Sequence, residues 1–585
     1  MVNKRHPIQS VFLKYGYAAF FLYIAIFLCF FYNYHLLYTE QLQIFQFTNF
    51  YFLTLIERPG GLANYIGSFI TQFYIFNHAA GLIISSLLFL LFFLQKKIEI
   101  AWHIKNGTAF SLILPALFTL FFMDINAQAG GLLATIIAML FVWLTALLPD
   151  KWYKYLITLF FMPILYAITG GGLITYTLLL LAGHLLQEKK NIPYISVLLL
   201  FSLVLPLVVR QYFIPLPWNH TWIGTAFYKG NTIPDLLWWL LFTPAILLLL
   251  TKSTGKLLSG IKYPEKTGSL LFIGIFIGTI VALQYNKNQR EETIYRLDHL
   301  LKKQDWQQIV QIAEKQPFHN QVFVSYVNIA LLNQGLLPDK MMNFSQRPEV
   351  NEFWTSSYLP MFLTGESYYH LDMYNAARAY LFMANTQSPL SASPFIYLRL
   401  AELETVRGNA KAGMKYVQVL KQTLFYREQA EKMEQAIQGS NYRQEIQSKI
   451  DRYTENNSFL AKEMLYNVTC KHKEDPYNRK VLDFLLAKYI LANDYKNFLH
   501  CIAGLPYSIG NDIPRLYQEF LLMYAYMLDD NTLIKKWGIQ QAVVTDFYKY
   551  LQINQSGQSE QKIKEELKKT FGHSYWFYMQ HKNDF

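Results

Sequence analysis

Two carboxylates stand where acids are costly. Glu57 lies in Glu57-Arg58-Pro59-Gly60-Gly61 and Asp124 in Asp124-Ile125-Asn126-Ala127-Gln128, both between strongly apolar stretches. An ionisable group at membrane level carries a large desolvation cost, which marks it as a candidate for binding or proton transfer. Glu57 rides on a turn stiffened by Pro59 and opened by two glycines. The Asp124 turn is too short to carry its acid far from the membrane surface. Each acid also has a structural reading: Asp124 as the cap of the following helix, and Glu57 as a tie to Arg58 or Arg210. Asn77, His78, Thr169, Gly170-Gly171-Gly172, Arg210, Trp218, His220 and Asp235 fall on the same side. Arg210 suits a lipid pyrophosphate, which takes forked donors, and equally suits a snorkelling anchor at a span end. His78 and His220 are isolated, no Cys or His pair has metal-ligand spacing, and no metal-binding residues are expected. Walker, dinucleotide and Gly-x-Ser-x-Gly patterns do not occur.

The elements that must position these groups are apolar runs. They recur from Tyr15 to His35, Ala79 to Leu94, Phe110 to Met123, Ala129 to Leu148, Tyr155 to Ala167, Leu173 to Leu186, Ile195 to Val209, Leu236 to Leu250 and Ser269 to Leu283. A helix needs roughly 20 mostly apolar residues to cross a bilayer, so about nine spans are expected. The pair flanking the glycine triplet reads as two short spans or one re-entrant hairpin. Between the first two runs, Ile44 to Ile56 and Ala63 to Phe76 are apolar-aromatic but too short to span. They are expected to lie in the interface as helices within about 41–76.

Charge gives the spans a direction. With nine spans, Lys4, Arg5, Lys14, Lys96, Lys97, Lys105, Lys151, Lys154, Lys189, Lys190, Lys252, Lys256, Lys262 and Lys266 fall on the N-terminal side, against Arg58, Arg210 and Lys229 opposite. By the positive-inside asymmetry the N-terminus is cytoplasmic in an inner or plasma membrane. The C-terminal half is then periplasmic or otherwise extracytoplasmic. The net charge of +12 resides largely in those loops, so nucleic acid is not an expected partner. The first run is too long for a signal-peptide core and reads as an uncleaved span. Cys470 and Cys501 pair in an oxidising compartment or stay as separate thiols; the spacing leaves both open.

At about Tyr285 the chain changes solvent. Residues 1–285 form the expected polytopic transmembrane domain and 286–585 the expected helical-repeat domain, an all-α chain throughout. Helical periodicity appears in Ile294, Leu297, Leu300 and Leu301, then in Trp306, Ile309, Val310 and Ile312. Polar breaks recur at Gln304-Asp305, Asn333-Gln334-Gly335, Asp372 to Asn375, Arg407-Gly408-Asn409 and Asn493-Asp494-Tyr495. Their spacing approaches the tetratricopeptide period of 34 residues. Gly365 to His370 running into Tyr374 to Tyr380 reads as one such unit, with Ala376, Ala377 and Ala379 allowing close helix approach. Pro389, Pro394 and Pro476 fall where new helices would begin. An α-solenoid of this kind presents a concave face to protein partners.

The layout of the first 285 residues resembles the GT-C superfamily of polytopic glycosyltransferases, and some relatives carry tetratricopeptide repeats afterwards. The whole chain also resembles uncharacterised membrane proteins of Bacteroidota. The GT-C resemblance implies a polyprenyl-linked sugar donor in membrane lipid and a protein or glycan acceptor. It gives Glu57 the role of base toward the acceptor hydroxyl, and Asp124 that of orienting donor or metal. Arg58, Asn77, His78, Arg210 and His220 become substrate-binding candidates. The sequence departs from the family pattern: the first loop has no Asp-Asp, Asp-Glu or Asp-x-Asp pair, Glu57 being followed by Arg58, and the second loop has a single acid. That leaves a divalent metal open as cofactor, since one or two carboxylates hold Mg²⁺ or Mn²⁺ weakly. The rival readings are a non-enzymatic membrane-anchored scaffold for envelope assembly and a transporter or lipid flippase.

Overall fold

The computed structural model describes residues 7–104, 109–149, 151–187, 192–230, 232–259, 264–316, 319–347, 357–388, 392–439, 443–453, 463–503 and 513–581, with backbone alone at 7–14, 255–259, 264–266, 443 and 445. Lys4, Arg5, Lys105, Lys189, Lys190, Lys262 and Pro389 lie outside the described residues, as do the side chains of Lys14, Lys256 and Lys266. The described residues are all-α, with one isolated antiparallel bridge between Ala127 and Tyr228. They form two compact units. One comprises Met1–Tyr295, Pro389–Pro394 and Val419–Glu428; the other comprises Arg296–Ser388, Phe395–Gln418 and Gln429–Phe585.

In the first unit, α1 (Pro7–Ile26) runs through a π-helical turn, Phe27–Phe31, into α2 (Asn33–Gln41) across a bend of 66°. A π-turn widens the helix and is a recognised cause of kinks. The first apolar run therefore breaks at Tyr32. α2 is buried nearly all round, including His35, Thr39 and Glu40. α3 (Asn49–Ile56) buries no residue, with Phe50 80% and Leu53 52% exposed. α4 (Gly61–Thr71) buries Gly61, Ala63, Asn64, Gly67, Ser68 and Thr71 along one face. The two short segments thus differ: α4 is packed and α3 is not.

There follow α5 (Ala79–Ala101), α6 (Ile113–Phe121), α7 (Ala129–Ala146), α8 (Trp152–Thr169), α9 (Gly172–Leu186), α10 (Ile192–Tyr212), α11 (Trp218–Ile223), α12 (Asp235–Ser259), α13 (Pro264–Asn286) and α14 (Gln289–Lys302). Among the described residues six helices, α5, α7, α8, α10, α12 and α13, are long and apolar enough to cross a membrane, and the bent first pair makes up to seven. The runs expected as spans at Phe110 to Met123 and Leu173 to Leu186 form shorter helices. At 1.5 Å per residue, the 15 residues of α9 reach about 22 Å, less than a hydrocarbon core of about 30 Å. The glycine triplet sets that start. Gly170 has φ +59, which ends α8 and forces α9 to begin anew at Gly172.

α7 is the centre of this unit and packs on α4, α5, α8 and α9. Its membrane-length window is 67% buried, against 17% for α10 and for α13. The α4–α7 contact depends on glycine. A Cβ on Gly67 would lie 2.3 Å from Gly130 N and 2.5 Å from Gly130 Cα. Backbone cannot rotate away, so Gly67→Ala is expected to part the helices and cost about 1–3 kcal/mol. Gly274 of α13 meets nothing within 4 Å, and Gly274→Ala is expected to be neutral or slightly stabilising. Thermal retention of the detergent-solubilised monodisperse protein checks the pair; equal retention would sink the packing argument.

In the second unit, helices form antiparallel hairpins: α15 (Trp306–Lys315) with α16 (Gln321–Gln334), then, after α17 (Leu337–Lys340), α18 (Tyr358–His370) with α19 (Tyr374–Thr386). α20 (Pro394–Val406) begins at a proline, which a first turn tolerates. Left-handed residues mark the turns at Gln304, Gly335, Asp372, Gly408 and Asn493, the polar breaks read from the sequence. The α18–α19 pair is close because Gly365 leaves room for Leu381, whose Cγ would lie 2.7 Å from a Cβ there. Ala376 and Ala377 are buried on the facing helix.

Candidate functional site

The Glu57 turn is built from backbone. Ile56 ends α3, and the chain reverses through Glu57-Arg58-Pro59 to Gly60, at φ +80, where α4 begins. Glu57 and Arg58 are exposed. Among the described residues neither side chain makes an ion pair or hydrogen bond. The expected tie to Arg58 or Arg210 is therefore absent there. What holds the turn lies beneath it: the Gly60 N–H donates to Ala167 O (3.0 Å), and Pro59 O accepts from the Thr225 N–H (3.0 Å) and Thr225 hydroxyl (3.3 Å).

Thr225 belongs to a strap, Ile223 to Lys229, that also ties the other turns. The Gly171 N–H donates to Ile223 O (2.7 Å), the Gln128 N–H to Phe227 O (3.0 Å), and the Lys229 N–H to Asn126 O (3.2 Å). The strap thus meets the Glu57 turn, the glycine triplet and the Asp124 turn. Asn126, Gln128 and Tyr228 bring Asp124 into the same framework. The Tyr228 hydroxyl donates to Asp124 Oδ2 (2.7 Å), while Oδ1 accepts from the Asn126 N–H (2.9 Å) and side-chain amide (3.3 Å). Asp124 therefore closes its own turn. It does not cap α7, whose N-cap residue is Gln128. Burial, then the bond to Asp124, pushes the Tyr228 phenol up to about 12. Burial pulls the half-buried Lys229 ammonium down to about 8.

A cavity of about 10 Å³, lined by Thr39, Thr71, Tyr74, Asp124 and Gln128 among others, has room for about one water. α2 passes beside it. The Glu292 carboxylate of α14 accepts the N–H groups of Tyr34 (2.7 Å) and His35 (3.0 Å), a side-chain cap for helix donors otherwise unsatisfied. Tyr38 stacks on Tyr295 with centroids 4.3 Å apart. The buried Glu40 accepts from the Tyr426 hydroxyl (2.9 and 2.8 Å) and from Gln41 (2.6 Å). Buried carboxylates persist only with such partners.

The remaining candidates are structural or apart. The His78 N–H donates to Asn33 (2.9 Å), and its Nδ1 lies 2.6 Å from Cys29 O. It therefore clamps the broken first helix to the start of α5. Asn77 is exposed. Arg210 donates to Leu216 O (3.1 Å) and covers the Trp218 ring at 4.8 Å, the geometry of an interfacial anchor. The His220 Nδ1 lies 3.2 Å from Gly224 O, and the buried Thr169 bonds back to Leu165 O. Asp235 opens α12. Among the described residues no group of three His, Cys, Asp or Glu side chains could hold a metal ion. Cys29, Cys470 and Cys501 are free thiols.

A family profile described as a family of unknown function, DUF6057, matches residues 9–582. The chain belongs to that family. No curated protein matches the chain, and no solved structure does. Membership therefore leaves function to be argued from the residues.

The sequence did not single out the strap residues Gly224, Thr225 and Tyr228, whose signal was weak: one glycine in a short connection between apolar runs. It also gave no sign of the charged core of the second unit. There the buried Arg399 donates to Glu366 through Nε (3.1 Å) and Nη2 (3.0 Å), and to Glu402 through Nη1 (3.3 Å). His370 is buried beside it, 3.8 Å from Glu366 and edge-on to Trp306. Burial above all, then the Arg399, Lys480 and Lys449 charges, holds the imidazole well below its ordinary pKa. A folded-state pKa below the unfolded value means stability is complete above about 6.5 and is lost as pH falls below it, at up to about 1.4 kcal/mol per pH unit. Urea titrations of wild type and His370→Gln between pH 7.5 and 5 check this. Wild type should lose stability relative to His370→Gln on acidification, and parallel pH profiles would exclude His370 as the cause.

Proposed function

We propose that this protein is a membrane-embedded transferase of the GT-C glycosyltransferase type, in which Glu57 is the base that takes the proton of an acceptor hydroxyl. The supporting observation is the contrast between the two acids. Asp124 is occupied by Tyr228 and Asn126, whereas Glu57 stands exposed and, among the described residues, without an ion pair or hydrogen bond, on a turn pinned from below. An ionised carboxylate on a fixed, accessible turn meets the geometric need of a general base. Asp124 is reassigned from orienting a donor to shaping the strap, and Arg210 from pyrophosphate ligand to anchor. In this reading about nine helical segments are embedded, with the two short ones, α6 and α9, contributing as broken or re-entrant elements. The Glu57 face and the C-terminal hairpins are extracytoplasmic. The donor is a polyprenyl-linked sugar, and the hairpins, as tetratricopeptide-like repeats, recruit the acceptor or a partner protein. The test compares, by mass spectrometry, the glycans on envelope proteins and lipids from cells with and without the gene. A missing glycan restored by the wild-type gene is expected; identical profiles would remove the enzyme reading.

A second reading, a membrane-anchored scaffold for envelope assembly, is favoured by the occupied states of Asp124 and Arg210. Under it, removing residues 291–585 abolishes function and in-cell crosslinking through that region captures one stable partner. A glycan defect traced to Glu57 alone would exclude it.

A further inference from the structure

Beneath Glu57, three glycines from distant parts of the chain meet. Gly60, Gly170 and Gly224 all have positive φ, +80, +59 and +73. A Cβ on Gly60 would lie 3.4 Å from Gly170 N, and one on Gly170 would lie 3.0 Å from Gly224 Cα. One on Gly224 would lie 2.5 Å from Pro59 O and 3.0 Å from Gly170 Cα. Three backbones thus touch with no side chain between them, an approach open to glycine alone. Glu57 has no side-chain restraint of its own among the described residues, so its position is that of the Pro59 carbonyl two residues on. That carbonyl is held twice by Thr225 and abutted by Gly224.

We propose that Gly224 and Thr225 are positioning residues for Glu57: the strap sets where the carboxylate stands while touching no substrate itself. The inference rests on Glu57 acting as base, but its geometric core does not. A Cβ at Gly224 strains the left-handed backbone and drives Pro59 away. A misplacement of about 1 Å costs on the order of 100-fold in rate. Loss of the Thr225 hydroxyl alone removes one bond and should cost only about 2- to 10-fold.

The experiment uses the full-length protein in lipid nanodiscs, with Cys470 and Cys501 replaced by Ser and the buried Cys29 retained. Nitroxide labels are placed at Glu57→Cys and Ile125→Cys, and their separation is measured by double electron-electron resonance. One narrow distance is expected with the strap intact and with Thr225→Ser. A broadened or displaced distribution is expected with Gly224→Ala, and a smaller broadening with Thr225→Val. In parallel, unlabelled Gly224→Ala, Thr225→Val and Thr225→Ser are tested for restoring the glycan. Gly224→Ala should restore about 100-fold less, Thr225→Val an intermediate amount, and Thr225→Ser the wild-type amount. Unchanged distances in Gly224→Ala would overturn the proposal. If that variant fails to fold, indistinguishable Thr225→Val and Thr225→Ser proteins would overturn it instead. Should Glu57→Gln restore the glycan fully, the base reading fails while the distance measurement still decides whether the strap places residue 57.

Discussion

A Glu57→Gln protein is expected to insert, fold and accumulate like wild type while losing at least about 100-fold in glycan transfer, the lower end of what a general base contributes. Both halves of that expectation have a structural source. The Glu57 side chain is exposed and makes no ion pair or hydrogen bond among the described residues, so its replacement by an isosteric amide changes stability by no more than about 0.5 kcal/mol. The amide cannot take up a proton, so any loss falls on chemistry. Asp124→Asn supplies the contrast. It replaces an ionised acceptor of the Tyr228 hydroxyl and the Asn126 amides, and charge-assisted bonds are worth about 1.5–3 kcal/mol. The amount of folded protein should fall, and transfer per folded molecule should fall far less than in Glu57→Gln. Comparing glycan restored per unit of membrane protein separates the two. Wild-type restoration by Glu57→Gln would remove Glu57 as the base.

Arg399→Met is expected to destabilise the second unit by about 3–5 kcal/mol, because it strands buried carboxylates. Glu366 is fully buried and receives two parallel bonds from the Arg399 guanidinium. Glu402 is buried and accepts from Arg399, from the Tyr369 hydroxyl (2.8 Å) and from Lys449. The guanidinium also lies 3.6 Å over the Tyr369 ring, so methionine loses stacking as well as charge. After Arg399→Met, Glu402 keeps Lys449 and the Tyr369 hydroxyl, but among the described residues Glu366 keeps only the imidazole of His370, 3.8 Å away and held neutral by burial. Differential scanning calorimetry should place the transition of that unit roughly 10 °C lower. Glu366→Leu added to Arg399→Met should recover much of the loss, since an apolar replacement for a buried pair is often neutral. A melting curve for Arg399→Met that overlays wild type would show the cluster to be incidental.

Part of this molecule was written along the chain. Apolar runs of membrane length and the solvent change at Tyr285 are local properties of consecutive residues, and six of the expected spans appear as helices long enough to cross. The polar breaks at Gln304, Gly335, Asp372, Gly408 and Asn493 are equally local, because a left-handed turn depends on its own residue, and each is one. The first run broke at Tyr32, before its expected end at His35, because the π-turn bends the chain by 66° there.

The site belonged to the other class. Composition offered the same two readings, reactive or structural, for Glu57 and for Asp124, because nothing beside either acid says what will approach from elsewhere. Tyr228, 104 residues away, occupies Asp124, and Thr225, 166 residues from Pro59, holds the Glu57 turn without touching its carboxylate. A carboxylate's partners come from whichever segments the packing delivers, and here glycines decide the delivery. Gly67 against Gly130 brings α4 onto α7, and Gly60, Gly170 and Gly224 bring three backbones into contact. The sequence by itself determined where the chain is apolar, where it turns and which acids stand at the ends of apolar runs, since these follow from neighbouring residues. Only the tertiary structure decided which acid its distant neighbours occupy, because that depends on contacts between residues far apart in the chain.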